Sequence, residues 1–159
     1  MLAYNVGVST TSKDPHHGRE AVTPAERTVR SYLAGFASAD PDAIAAHVAD
    51  DFINEHTAGL GTGCVGKAAY RERLPGFLAD MVGLRYEIED LVVDGDTVAA
   101  FYTMTASWQG EVPISIRGVQ RIVVRDDLIH HRTDYWDSAV FLAQADPAAG
   151  AALEPFGIR

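Results

Sequence analysis

From Leu84 onward the chain alternates with a period of two, and this run constrains the fold more than any other feature. Leu84, Tyr86 and Ile88 alternate with Arg85, Glu87 and Glu89, the pattern of a strand whose successive side chains face opposite sides. Asp94-Gly95-Asp96 turns the chain, Thr97 to Trp108 forms a long strand, and Gln109-Gly110 ends it. Pro113 to Arg125 is a third strand, turned by Asp126-Asp127, and Leu128 to Asp137 is the last. Tight turns between long strands make antiparallel hairpins. The second strand puts Val98, Ala100, Tyr102, Met104, Ala106 and Trp108 on one face, and Ala99, Phe101, Thr103, Thr105 and Ser107 on the other. Both faces are substantially apolar, which predicts that both are covered. The mixture of small and large groups on the first suits a sheet curled around a cavity.

Upstream the period is helical. Thr23-Pro24-Ala25-Glu26 supplies a capping hydroxyl, a proline at the first helical position and a glutamate three residues past the cap. Val29, Leu33 and Phe36, with Val22 and Tyr32, form an apolar stripe. A second helix starts at Asp40-Pro41, with Ile44 and Val48 inward. A short strand follows, then a GLGTG loop at 59 to 63, then a helix from Gly66 to about Met81 that Pro75 breaks or kinks. Ala139 to Ala145 is a short terminal helix. Helices followed by antiparallel hairpins predict an α+β fold, a curved sheet with helices on one side. The expected organisation is an arm over residues 1–22, one domain over 23–145 and a Pro/Ala/Gly tail over 146–159.

The chain has 159 residues, enough for one sizeable core, and a net charge of -9. That charge argues against a nucleic-acid or anionic-membrane partner, which would require clustered Lys and Arg. The single cysteine, Cys64, cannot form an internal disulfide, suits a reducing compartment and reads as structural. No basic, apolar leader opens the chain and no membrane-spanning run occurs, so a cytoplasmic location is expected. No HExxH, CxxC or P-loop is present, and His130 and His131, being adjacent, face opposite ways and cannot share a metal. No metal or cofactor is expected. His16-His17 in the arm reads as incidental.

The stretch DDFINEHTAG, residues 50 to 59, starts apolar at Phe52 and Ile53 and ends with Asn54, Glu55 and His56. Such a strand either leaves the core for water or enters a polar pocket. The order of elements from Thr23 to Leu142 resembles the nuclear transport factor 2-like superfamily. Its members with catalytic pockets include ketosteroid isomerases, SnoaL-like polyketide cyclases and limonene-epoxide-hydrolase-like enzymes. The segment YLAGFASADPDAIAAHVADDFINEH, Tyr32 to His56, matches the isomerase pattern in length without a gap. HHRTDYWD, in the segment from Ile129 onward, resembles the final strand of all three groups. The resemblance implies a cone-shaped α+β barrel and a homodimer formed through the open sheet face.

Position by position, the resemblance puts Tyr32 where the isomerases keep a phenol for the substrate carbonyl, and His56 where they keep their aspartate base. His56 also falls on a pocket asparagine of the epoxide hydrolases, and Asn54 on the tyrosine beside it. Position 56 therefore points into a pocket. Asp134 matches the acid/base aspartate of the cyclases, and Asp137 an aspartate of the epoxide hydrolases. The departures are as informative. The isomerases' protonated acid falls near Gly118 or Val119, the hydrolases' arginine and second aspartate near Tyr102 and Met104, and the cyclases' second histidine near Gln120. No one mechanism is complete.

His56 qualifies as a general base or acid because an imidazole titrates near neutral pH. Strict alternation lets only one of Asp134 and Asp137 face the cavity, and Asp137 is preferred for its parity with Thr133 and Tyr135, although it could instead cap the terminal helix. The expected catalytic set is His56, Asp137, Asp134 and Tyr32. The expected substrate-binding set is Asn54, Tyr102, Met104, Trp108, Gln120 and Trp136. The reading is a cofactor-independent enzyme of isomerase or polyketide-cyclase type, acting on a small, mostly apolar, oxygen-bearing molecule. His56 and an aspartate would move a proton while Tyr32 stabilises an enolate or alkoxide. The rivals are epoxide-hydrolase or dehydratase chemistry, and a dimer that binds a small ligand without chemistry.

Overall fold

A computed structural model of the chain describes residues 21–158. The N-terminal arm, with His16-His17, lies outside the described residues except for its last two positions. Helix α1 (Pro24–Gly35) begins where the capping box predicts, with the Thr23 hydroxyl accepting from the Glu26 N–H at 3.1 Å. Helix α2 (Pro41–Ala45) is capped by Asp40, whose carboxylate accepts from Asp42 and Ala43. Strand β1 (Val48–His56), the two-residue β2 (Cys64–Val65) and helix α3 (Lys67–Asp80) complete the first half. The second half is β3 (Met81–Asp94), β4 (Thr97–Trp108), β5 (Val112–Arg125) and β6 (Leu128–Trp136), followed by α4 (Ser138–Ala145) and α5 (Pro147–Leu153).

The strands form one sheet in the order β2-β1-β6-β5-β4-β3, in which β1 runs parallel to β6 and every other pair is antiparallel. The fold is α+β with an unclosed, cone-shaped sheet around the N-terminal helices. The turns work as their residues suggest. Gln109 and Gly110 both adopt positive φ, as do Asp126 and Asp127, which gives the mirror-image turns that match strand twist. The parallel β1–β6 pair joins the helical half to the hairpin half and places the end of β1 beside the second half of β6.

Helix α1 buries Val29, Tyr32 and Leu33 on the concave face, and Phe36 follows just past its end. They pack with Ile44, Phe52, Leu74, Val98 and Ile122 in one core. Three expectations need correction. Pro75 does not break α3 in two: the helix runs continuously through it, because Tyr70, Leu74 and Leu78 hold one side in the core while Pro75 and Gly76 face solvent. The expected tail forms α5, capped by Asp146 with Pro147 at its first position. Among the described residues nothing fully covers the second face of β4, where Phe101 is 37% exposed. Among the described residues no helix is long and apolar enough to cross a membrane.

Candidate active site

Register builds the site. The parallel pairing sets Asn54 beside Arg132 and His56 beside Asp134. The antiparallel pairing sets Asp134 beside Gln120 and Trp136 beside Gly118. These even-numbered residues share the concave face, so an amide, an imidazole, a guanidinium, a carboxylate and an indole gather within two residues along neighbouring strands. On β4, Ala100 lies beside Gln120 and Tyr102 beside Gly118. With no side chain at Gly118, the Tyr102 ring lies over β5. A Cβ there would sit 2.7 Å from Tyr102 Cζ and closer still to its hydroxyl. The phenol thus reaches Asp134 across two strands, donating to Oδ1 at 2.7 Å. Gln120 donates from Nε2 to the other oxygen at 3.0 Å.

Two lobes form one concave site, sharing His56, Thr62, Arg73, Phe77, Tyr86 and Asp134. The inner lobe, about 220 Å³, adds Asn54, Cys64, Tyr70 and Arg132. The outer lobe, about 270 Å³, is more apolar and adds Met81, Tyr102, Met104, Trp108, Ile116, Trp136 and Phe141. The GLGTG loop closes over β1, and Gly61 is needed there because a Cβ would fall 2.8 Å from His56 Cγ.

Arg132 is the hidden organiser. Only 5% exposed, it donates from Nε and Nη2 to Asn54 Oδ1 at 3.1 and 2.7 Å, and from Nη1 to the Tyr32 hydroxyl. Tyr32 in turn meets the Tyr70 hydroxyl at 2.6 Å. With its oxygen taken twice, the Asn54 amide has one orientation, and its Nδ2–H₂ is the free donor. His56 is fixed by a different route. The Trp136 indole N–H donates to His56 Nδ1 at 3.2 Å, and an indole can only donate. Nδ1 is therefore unprotonated, and the neutral ring carries its hydrogen on Nε2, which stands 3.4 Å from Asn54 Nδ2. Two N–H donors thus stand side by side on the cavity wall with no acceptor between them.

Burial, followed by the fields of Arg132 and Arg73, lowers the His56 pKa to about 4. The ring is neutral at physiological pH. Asp134 shifts the other way: burial raises its carboxyl above the ordinary value, against the Arg132 field and the bonds from Tyr102 and Gln120. A carboxylate that holds a proton more tightly than usual is a stronger base.

The candidate residues separate accordingly. His56, Asp134, Asn54, Tyr102, Met104, Trp108 and Trp136 line the site. Tyr32 does not; fully buried, it holds Arg132 from behind. Gln120, also fully buried, supports Asp134 and does not line either lobe. Asp137 is exposed beyond the end of β6 and caps α4 by accepting from the Ala139 N–H at 2.8 Å. Its preference over Asp134 fails because Thr133 and Tyr135 belong to the convex face: Thr133 bonds Glu55 there, and Tyr135 is 46% exposed. Cys64, read as structural, lines the inner lobe. Arg132, Tyr70, Tyr86 and Arg73 escaped the sequence reading, although Arg132 shares its parity with Asp134 and Trp136. Among the described residues no three His, Cys, Asp or Glu side chains cluster as a metal site requires.

A profile of the SnoaL-like domain matches residues 29–132. The chain belongs to the SnoaL-like family. Solved structures agree with this SnoaL-like domain in fold. It is similar to a putative SnoaL-like polyketide cyclase from Shewanella denitrificans (14% identity, 77% of this chain and 97% of that one, TM-score 0.69). It is also similar to a hypothetical protein with a ketosteroid isomerase-like fold from Catenulispora acidiphila, solved with trimethylamine (19%, 74% and 90%, TM-score 0.68). A third is an epoxide hydrolase of the limonene-epoxide-hydrolase-like type from Mycobacterium tuberculosis (23%, 74% and 85%, TM-score 0.65). Comparison with curated proteins gives no match. The family includes cyclases, isomerases and epoxide hydrolases.

Proposed function

We propose that this SnoaL-like domain moves a proton at the carbon next to a carbonyl in a small, largely apolar molecule, as an isomerase or a polyketide cyclase does, with side chains alone supplying the chemistry. The observation that carries the reading is the pair of fixed donors, His56 Nε2–H and Asn54 Nδ2–H, lining the same cavity as the buried Asp134 carboxylate. A carbonyl oxygen seated between the donors becomes more negative as Asp134 removes the neighbouring proton. Donors that are already oriented stabilise that charge without reorganising. Tyr102 and Gln120 hold the carboxylate in place. Asp134 then returns the proton to another carbon, or the enolate carbon attacks a second carbonyl, closes a ring and leaves an alkoxide that takes the proton back from Asp134.

The roles expected from the sequence are thereby redistributed, with His56 taking the oxygen-stabilising part expected of Tyr32. His56 is a donor to oxygen and Asp134 alone is the base. Epoxide opening needs an acid for the departing oxygen and a base for the attacking water at the same time, and Asp134 is the one carboxyl group among the described residues that lines either lobe. A purely binding role gives no reason to bury the Asp134 carboxylate. The exposed Phe101 and Tyr135 on the convex face support a second copy of the chain there, testable by sedimentation.

The direct test is deuterium exchange. In D₂O, the wild-type protein should catalyse loss of the α-proton NMR signal of 4-oxo-4-phenylbutanamide, a neutral aryl ketone, and Asp134→Asn should not. Equal rates from the two proteins would remove Asp134 as the base.

A further inference from the structure

Arg73 is unlike the other cation of the site. Arg132 spends its Nε and both terminal nitrogens on Asn54 and Tyr32. Arg73 is exposed, lines both lobes and donates from Nη1 to the Gly63 carbonyl at 2.7 Å. Among the described residues it has no carboxylate within 4.0 Å, whereas Arg30, Arg71 and Arg117 each have one. A guanidinium offers five N–H donors, so most of those on Arg73 remain open. Among the described residues Asp134 is the only carboxylate lining either lobe, against two guanidiniums. In a chain of net charge -9 the cavity is therefore a positive island. The depressed pKa of His56 reflects both of these cations.

We infer that the substrate carries a carboxylate, which Arg73 receives at the cavity rim while the enolisable carbonyl reaches His56 and Asn54. This rests on the proposed carbonyl chemistry for the substrate's orientation, and on Arg73 itself for the charge. The planar fork matches a carboxylate in two parallel bonds. The Gly63 carbonyl holds the arginine in place from the loop side. Between the two polar ends, Phe77, Met104, Trp108 and Trp136 offer an apolar wall for a ring or hydrocarbon body. Arg73 would set specificity for acids over neutral ketones and would also align the α-carbon with Asp134.

Both tryptophans of the chain line the outer lobe, so intrinsic fluorescence reports on occupancy directly. The probes are 4-oxo-4-phenylbutanoate and its amide, which differ only in charge at one end. The wild-type protein should bind the acid about tenfold more tightly than the amide, the scale of one charge-assisted contact, and added salt should erode the preference. Arg73→Met should abolish the preference while still binding the amide by tryptophan fluorescence, which shows the cavity intact. Arg73→Lys should keep part of it. A wild-type protein that does not prefer the acid, or an Arg73→Met protein that still does, overturns the inference. Deuterium exchange on the amide reads the catalytic proposal separately. Exchange without acid preference leaves that proposal standing alone, and acid preference without exchange leaves Arg73 standing alone.

Discussion

Strands β1 and β6 carry a histidine and a carboxylate on each face of the sheet, and the two pairs behave oppositely. On the convex face His131 Nε2 lies 3.2 Å from Glu55 Oε2, with side chains 33% and 55% exposed. Glu55 also accepts from Thr133, and those bonds, Thr133's first, hold its carboxyl below the ordinary value. On the concave face His56 and Asp134 are register partners, yet each bonds elsewhere: His56 to Trp136, Asp134 to Tyr102 and Gln120. Here burial dominates, lowering the imidazole and raising the carboxyl. The same residue types on the same two strands give a solvated histidine–carboxylate contact outside, and a neutral donor with a buried carboxylate of raised pKa inside. Solvent, more than sequence, sets the chemistry.

The sharpest way to break this comparison is to neutralise each carboxylate. Asp134→Asn should lower α-proton exchange by about 10³-fold, within the range for removing a general base, while Glu55→Gln leaves the rate unchanged. A comparable loss from Glu55→Gln would show that the faces are not chemically separate. The second largest effect is on stability. Arg132→Met leaves the Asn54 oxygen and the Tyr32 hydroxyl without their donor and Asp134 without its nearby positive charge, so urea denaturation should show a loss of about 3 kcal/mol. The amide of Asn54 would also be free to turn over, and exchange should fall with it.

Acid stability tells the faces apart more finely. The folded pKa of His56, about 4, lies below its ordinary 6.5, so the unfolded chain takes up the proton first. The contribution is complete above 6.5 and is lost as pH falls toward 4, by about 2 kcal/mol once solvent reaching the ring is allowed for. His56→Phe should flatten the urea midpoint over that window. Glu55 is also lowered, from 4.5, so its contribution is present above that value and lost only below it; Glu55→Gln should lower the midpoint above 4.5, and the difference from wild type should fade as pH falls further. The catalytic rate has a complementary dependence. It should rise with pH through the elevated Asp134 value, above the ordinary 3.8, because only the carboxylate can take a proton.

Much of this was legible in residues. The capping box at Thr23, the turns at Gln109-Gly110 and Asp126-Asp127, and the period of two from Leu84 onward are local rules, satisfied by neighbours in sequence. They suffice for the elements and, through their order, for the fold class. The entry of His56 into a hollow followed from the resemblance. Arg132 was missed because an arginine is ordinarily solvated, and nothing near it in sequence signals a buried partner. Asp137 was favoured over Asp134 on parity, but β6 ends at Trp136, and beyond a strand's last residue alternation carries no information.

By itself, then, the chain determined its first helices, its hairpin turns and the alternation along its long strands, because these depend on backbone geometry and period. Only the tertiary structure decided protonation and role. The orientation of the Asn54 amide, the tautomer of His56 and the basicity of Asp134 each depend on a partner from another strand. Arg132 lies 78 residues from Asn54, Trp136 80 from His56, and Tyr102 32 from Asp134. The sheet register and the exclusion of water bring those partners together, and a sequence pattern records neither.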